Sequence, residues 1–146
     1  MNHTDDTTQR KANLIQFVKY CMVGVLNTIV CLGVIFTCKS LLGINPYISN
    51  AAGYIAGVTN SFLWNRKWVF NSEGHILHEA LKFILGFGIC YTLQFAAVWA
   101  ITQSAFGARE FEIWVFTISG YGIATLIGNV IYTIANYLYN RLIAFR

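Results

Sequence analysis

Four long apolar runs limit what this chain can fold into. The runs cover Phe17–Cys38, Tyr47–Trp64, Leu81–Thr102 and Ile113–Tyr139. As a helix rising about 1.5 Å per residue, the first is about 33 Å long, which is enough to cross the hydrocarbon core of a bilayer. Because 56% of the residues are hydrophobic and only 11% are charged, a water-soluble domain is disfavoured. The sequence therefore predicts an all-α, polytopic membrane protein with four transmembrane helices.

The second and fourth runs close on the same pattern of residues. Asn65-Arg66 ends the second run, and Asn140-Arg141 ends the fourth run 75 positions later. The same shift aligns further pairs: Gly53 with Gly128, Ser61 with Asn136, Phe62 with Tyr137, Trp64 with Tyr139 and Phe70 with Phe145. Matched segment ends in a short chain indicate duplicated construction. We therefore predict two helical hairpins related as a parallel repeat.

Lysine and arginine are distributed unevenly between the two ends of the predicted helices. One side has Arg10, Lys11, Lys19, Arg66, Lys67, Lys82, Arg141 and Arg146, and the other has Lys39 and Arg109. Cytoplasmic loops are enriched in these residues, so both termini are expected in the cytoplasm. Met1–Asn13 is expected to be a disordered cytoplasmic tail, and residues 14–146 are expected to form one transmembrane domain.

The sequence contains no pattern that points to catalysis. The four runs contain no Asp or Glu, and the 3 histidines lie outside them. We find no phosphate-binding loop, no dinucleotide fingerprint and no hydrolase triad. The net charge of +4 comes from basic residues beside apolar runs, where lipid head groups explain them better than nucleic acid does. We expect no enzymatic activity, no cofactor, no metal site and no nucleic-acid partner.

Amide and hydroxyl side chains lie within the runs or near their ends. They are Asn27, Thr28, Asn60, Ser61, Asn65, Gln94, Asn129, Asn136 and Asn140. Without a hydrogen-bond partner each would cost roughly 1–3 kcal/mol in the membrane. Such groups either hold helices together or bind the hydroxyls of a sugar, and the residues alone favour the first use. Glycines at matching depth, namely Gly53, Gly57 and Gly128, are predicted helix-packing positions.

Arg66 and Arg141 also allow two interpretations. An arginine at the end of a membrane helix is commonly a topology anchor. Two guanidinium groups together with Lys19 and Lys67 could instead bind a phosphate at head-group depth. The charges alone do not decide between these uses.

Several positions of the chain match the sequence pattern of a known family. The shared positions are Phe17, Gly24, Asn27-Thr28, Asn45-Pro46-Tyr47, Gly53, Gly57 and the segment Ser61–Phe70. The chain resembles the GtrA-like family of small four-span bacterial and phage membrane proteins over about residues 14–146. The first Asn-Arg ending follows the family pattern, whereas the second has Ile143 at the position of Trp68.

The resemblance implies a function in surface polysaccharide modification. It implies movement of a polyprenyl-phosphate-linked sugar, such as undecaprenyl-phosphate glucose, across the bacterial cytoplasmic (inner) membrane, in which the protein is multi-pass. The candidate substrate-binding residues are Lys19, Asn27, Asn65, Arg66, Lys67, Asn136, Asn140 and Arg141.

Two other functions stay open beside this one. The protein could be a non-transporting partner of a membrane glycosyltransferase. A small multidrug-type exporter is less favoured, because such proton-coupled carriers commonly use an intramembrane carboxylate. We also expect a homo-oligomer, since four helices enclose little room for a sugar and the Gly53/Gly57 stripe could receive a second copy.

Overall fold

The computed structural model describes residues 3–104, 110–113 and 116–146. Its elements are helices α1 (His3–Phe36), α2 (Pro46–Trp64), α3 (Ile76–Gln103) and α4 (Gly120–Tyr139), and strands β1 (Glu110–Ile113) and β2 (Phe116–Ser119). Three helices continue into five-residue π-helical turns, at Thr37–Leu41 after α1, Asn65–Val69 after α2 and Asn140–Ala144 after α4. The architecture confirms the predicted all-α, polytopic membrane fold.

Among the described residues, two helical segments are long and apolar enough to cross a bilayer, Thr7–Leu41 and Ile76–Gln103. Helices α2 and α4 have 19 and 20 residues. A helix of that size is about 30 Å long, close to the thickness of the hydrocarbon core. The π-helical turns that follow α2 and α4 lengthen both helices further.

The chain divides into two compact units. Unit 1 comprises Met1–Glu73 together with Phe145, and unit 2 comprises Gly74–Ala144 together with Arg146. In unit 1 helix α1 packs along α2, and in unit 2 helix α3 packs along α4. Each unit is therefore one helical hairpin, as the repeat predicts.

The repeat also appears in the local geometry of the helix ends. Helices α2 and α4 end at Trp64 and Tyr139, and their π-helical turns begin at Asn65 and Asn140. Both boundaries are 75 positions apart, which is the shift that aligns the two halves of the sequence. The two Asn-Arg endings thus share a backbone conformation as well as a sequence pattern.

Glycines bring the two helices of unit 1 close together. A Cβ atom at Gly53 would lie 2.9 Å from the carbonyl oxygen of Cys31 and would also meet the side chain of Ile35. A Cβ atom at Gly57 would lie 3.1 Å from Asn27 Oδ1. The Gly53/Gly57 stripe is covered by α1 of the same chain, so its expected use by a second copy was wrong. Homo-oligomerisation stays a prediction and needs another surface.

Unit 2 has similar close contacts between its helices. A Cβ atom at Gly128 would lie 2.5 Å from Val98 Cγ2 and 3.3 Å from Gln94 Cγ. On α3, a Cβ atom at Gly86 would meet the ring of Tyr139. In both units a residue without a side chain lets a neighbouring side chain or backbone approach.

The structure differs from the prediction at the start of the chain. Helix α1 begins at His3, so it includes most of the stretch that was predicted to be a disordered tail. The helix therefore extends well beyond the N-terminal end of the apolar run, which begins at Phe17.

The region before α4 also differs from the prediction. A helix was expected from Ile113, but α4 begins at Gly120 and residues 110–113 pair with 116–119 as an antiparallel hairpin. Both strands alternate polar and apolar residues, a period of two that suits a strand. Ser119 then caps α4, because its Oγ accepts a hydrogen bond of 3.2 Å from Gly122 N–H. Arg109, one of the two basic residues predicted for the opposite side, lies outside the described residues.

The glycine contacts predict opposite effects for two alanine substitutions in unit 1. Gly53→Ala is expected to destabilise the protein by about 1–3 kcal/mol, because a methyl group would overpack the contact with α1. Gly33→Ala meets no atom within 4 Å and is expected to be neutral or slightly stabilising, since alanine favours helix. Thermal unfolding in detergent checks this. Equal midpoints for the two variants would contradict the packing described for Gly53.

Candidate functional site

The π-helical turn after α2 positions the first Asn-Arg pair. It runs from Asn65 to Val69, and Phe70 N–H donates a 2.9 Å hydrogen bond to the carbonyl oxygen of Asn65. Gln16 Nε2 on α1 donates a 3.2 Å hydrogen bond to the carbonyl oxygen of Val69. π-helical turns are rare in proteins, and those that occur are often found at functional sites.

Asn65 is almost completely buried, and only one end of its side-chain amide is hydrogen-bonded within the described residues. Only 2% of its surface is exposed. Its Nδ2 donates to the carbonyl oxygen of Ser61 at 2.8 Å and to Ser61 Oγ at 3.2 Å. Because a carbonyl oxygen can only accept, this contact fixes which end of the amide is nitrogen. Asn65 Oδ1 is buried without a hydrogen-bond partner among the described residues, which costs about 1–3 kcal/mol.

Basic side chains lie around this turn. Arg66 is half-buried and Lys67 is exposed. On α1, Lys19 Nζ lies 5.4 Å from the centre of the Trp68 ring, within the range of a cation–π interaction. Three of the predicted binding cations, Lys19, Arg66 and Lys67, therefore belong to the same end of the unit 1 hairpin.

An aromatic cluster supports the same end of unit 1. The ring centres of Tyr20 and Phe70 are 6.4 Å apart, and those of Phe62 and Phe145 are 5.8 Å apart. Phe70 and Phe145, which the repeat aligns with each other, stack at 5.1 Å with an interplanar angle of 15°. Phe145 belongs to unit 1, so these rings form one aromatic cluster within that unit.

The matching turn of unit 2 has a different hydrogen-bond pattern. Asn140 is fully buried, and its Nδ2 donates to Asn136 Oδ1 at 3.4 Å. Asn136 Nδ2 in turn donates to the Tyr132 hydroxyl at 3.3 Å. Asn140 Oδ1 is buried and, within the described part of the chain, has no partner. Both turns therefore begin at a buried asparagine whose Oδ1 has no hydrogen-bond partner in the part of the chain that the structure describes.

Arg141 contacts a tyrosine of its own helix. Its Nη1 donates to the Tyr137 hydroxyl at 3.4 Å, one turn back along α4. Part of the guanidinium group is thus used inside unit 2.

The structure separates amides that hold helices together from amides that do not. Gln94 Nε2 on α3 donates a 2.7 Å hydrogen bond to Asn129 Oδ1 on α4, which is the structural use that the sequence favoured. Asn27 Oδ1 and Asn60 Nδ2 are buried and have no hydrogen-bond partner in the described residues. Asn60 was not among the predicted binding residues, because nothing in the sequence distinguishes it from a packing amide.

Glu79 is a buried carboxylate that the sequence does not single out. It lies in the first turn of α3 and is only 3% exposed. A Cβ atom at Gly74 would meet its carboxylate, so the glycine gives it room. The preference of acidic residues for the first helical turn is the signal that could have placed it.

The helices, their glycine contacts and the basic helix ends together define a multi-pass membrane protein built from two helical hairpins. The chain belongs to the family described as GtrA/DPMS, transmembrane domain, which matches residues 19–145. This confirms the resemblance inferred from the sequence.

Several relatives have been named. A prophage bactoprenol-linked glucose translocase homolog of Escherichia coli K12 is 30% identical over 89 residues, 61% of this chain and 71% of that protein. The bactoprenol-linked glucose translocase of Salmonella phage P22 is 26% identical over 130 residues, 89% of this chain and 94% of that protein. The uncharacterized membrane protein YngA of Bacillus subtilis is 36% identical over 52 residues, 36% of this chain and 34% of that protein.

Proposed function

We propose that this protein translocates a polyprenyl-phosphate-linked sugar, such as undecaprenyl-phosphate glucose, from the cytoplasmic to the outer leaflet of the bacterial cytoplasmic membrane. Surface polysaccharide modification would use the translocated sugar. Membership of the GtrA/DPMS family and the names of the phage and prophage relatives support this function. In this proposal no covalent bond is made or broken, so the protein is a transporter and not an enzyme.

The turn after α2 carries the proposal, because it combines a hydrogen-bond acceptor for a sugar hydroxyl with cations for a phosphate. Asn65 Oδ1 is a buried acceptor without a partner in the described residues, which suits a hydroxyl donor. Lys19, Arg66 and Lys67 are cations at the same end of unit 1, which suits a phosphodiester. A sugar phosphate presents both groups next to each other.

The outer faces of the helices suit the prenyl chain. Large apolar side chains on α1 are mostly exposed, for example Val25 at 64% and Ile29 at 62%. Exposed apolar side chains of this kind favour contact with lipid tails. A substrate could keep its prenyl chain in the bilayer while its head group moves along the hairpin.

A reconstituted system tests the function directly. Purified protein is placed in vesicles that contain undecaprenyl-phosphate glucose, with no glycosyltransferase present, and movement of the sugar between leaflets is measured. We expect movement well above that in protein-free vesicles. No movement by the protein alone, together with restored movement when a glycosyltransferase is added, would favour the accessory function and contradict this proposal.

The orientation of the chain is also part of the proposal. Eight of the ten Lys and Arg residues belong to the side with the termini, so both termini are proposed to be cytoplasmic. A compartment-sensitive reporter fused after Arg146 should report the cytoplasm, and one inserted in the 40–46 turn should report the other side. The same compartment for both would contradict four spans with this orientation.

A further inference from the structure

Unit 1 holds three buried polar atoms that have no hydrogen-bond partner among the described residues. Two are acceptors, Asn27 Oδ1 and Asn65 Oδ1, and one is a donor, Asn60 Nδ2. Asn65 is 98% buried, since its exposure is 2%. Membrane helices ordinarily satisfy such groups within the protein. Their concentration in one hairpin needs a separate explanation.

Asn27 and Asn60 lie at nearly the same level of this hairpin. Asn27 Oδ1 would be 3.1 Å from a Cβ atom at Gly57, which places it beside that glycine. Asn60 follows Gly57 by three residues, so it lies on the same side of α2 and about 4.5 Å further along the helix axis. Asn65 lies about 12 Å beyond Gly57 along that axis.

The donor and acceptor types identify the ligand chemistry. A phosphodiester can only accept hydrogen bonds, so it has nothing to offer Asn27 Oδ1. An ammonium group can only donate, so it has nothing to offer Asn60 Nδ2. A hydroxyl group both donates and accepts, so hydroxyl groups suit both amides.

We propose that Asn27 and Asn60 bind hydroxyl groups of the sugar head group inside the membrane-spanning part of unit 1. Asn65 Oδ1 binds a hydroxyl near the end of α2, about 8–12 Å away, so the head group meets these two levels one after the other. This inference rests on the proposed function, because it deepens the description of the same substrate. The sugar is held by the hairpin, and the phosphate is left to the basic residues.

Equilibrium binding to two lipids tests the inference. The purified protein in detergent is titrated with undecaprenyl-phosphate glucose and with undecaprenyl phosphate, which lacks the sugar. We expect the wild type to prefer the glycosylated lipid. Asn27→Leu should reduce its affinity for that lipid about tenfold, leave its affinity for undecaprenyl phosphate unchanged and leave its thermal unfolding midpoint unchanged or higher. Asn60→Leu should behave in the same way.

Gln94→Leu is the matched control, because this amide also lies on a membrane helix but is paired with Asn129. Its removal should lower the unfolding midpoint and preserve the preference for the glycosylated lipid. An unchanged preference in both Asn27→Leu and Asn60→Leu would overturn the inference and leave buried water as the partner of these amides. Equal loss of affinity for both lipids, or failure of both variants to accumulate, would overturn it too, because each outcome indicates a structural role.

This test is separate from the test of translocation. Binding at equilibrium requires no movement between leaflets. An intact sugar preference without translocation in vesicles would contradict the proposed function alone. Translocation without any sugar preference would contradict only the inference about Asn27 and Asn60.

Discussion

Arg66→Lys is expected to reduce surface glycan modification at least about tenfold, although the charge of the side chain is kept. A guanidinium group can bind a phosphodiester through two parallel hydrogen bonds, whereas an ammonium group offers a point charge. A hydrogen bond to a charged group contributes about 1.5–3 kcal/mol, and about 1.4 kcal/mol corresponds to a factor of ten. Arg66→Ala should lose at least as much activity.

Lys67→Ala is the comparison for Arg66→Ala, and it should lose less activity although Lys67 belongs to the same proposed phosphate site. Lys67 is the next residue in the same π-helical turn, but it is exposed whereas Arg66 is half-buried. If Arg66 served only as a topology anchor, Lys67 and the other basic residues would replace it, and Arg66→Lys would be silent. Glycan modification is measured in cells that lack the native gene and is normalised to protein in the membrane. Full activity of Arg66→Lys and Arg66→Ala would show that Arg66 is an anchor.

Arg141→Ala is expected to reduce activity less than Arg66→Ala does. The second ending departs further from the family pattern, because Ile143 occupies the position that corresponds to Trp68 in the first ending. The same complementation assay compares the two variants. A larger loss of activity for Arg141→Ala would mean that the turn after α4 binds the phosphate, and not the turn after α2.

Features that depend on local sequence could be predicted well. The 75-residue repeat placed the ends of α2 and α4 correctly, because apolar length and the Asn-Arg pattern act over one helix. The β1–β2 hairpin was missed because β2 lies inside the fourth apolar run, β1 mostly precedes that run, and each strand alternates over only four residues. Short apolar runs do not distinguish helix from strand by composition.

Features that depend on which helices pack against each other could not be predicted from the spacing of residues in the sequence. A Gly-x-x-x-Gly stripe predicts a close contact but does not identify the partner, and here Gly53 and Gly57 contact α1 of the same hairpin. The amides show the same limit. Gln94 pairs with Asn129, whereas Asn27 Oδ1 stays unpaired among the described residues. Rotamers and helix register decide this difference, and the sequence contains neither directly.

Asn65→Ala is expected to abolish or greatly reduce function while the protein still inserts and accumulates. The substitution removes the hydrogen bonds from Nδ2 to Ser61, a loss of about 1 kcal/mol. It also removes a buried carbonyl oxygen that has no partner in the described residues, and this gain offsets the loss. Stability should therefore change by no more than about 1 kcal/mol. A large loss of activity would then reflect the substrate.

The equivalent substitution in unit 2 separates binding from packing. Asn140→Ala also removes an oxygen without a partner in the described residues, and it breaks one 3.4 Å hydrogen bond to Asn136. Because Asn65→Ala breaks two shorter hydrogen bonds, Asn140→Ala should lower the unfolding midpoint no more than Asn65→Ala does. Ser61→Ala is the control for the first site, because it keeps the backbone carbonyl that orients Asn65, and it should retain most of the activity. If activity in all three variants simply follows the amount of folded protein, Asn65 is a packing residue, and the hydroxyl site at the end of α2 does not exist.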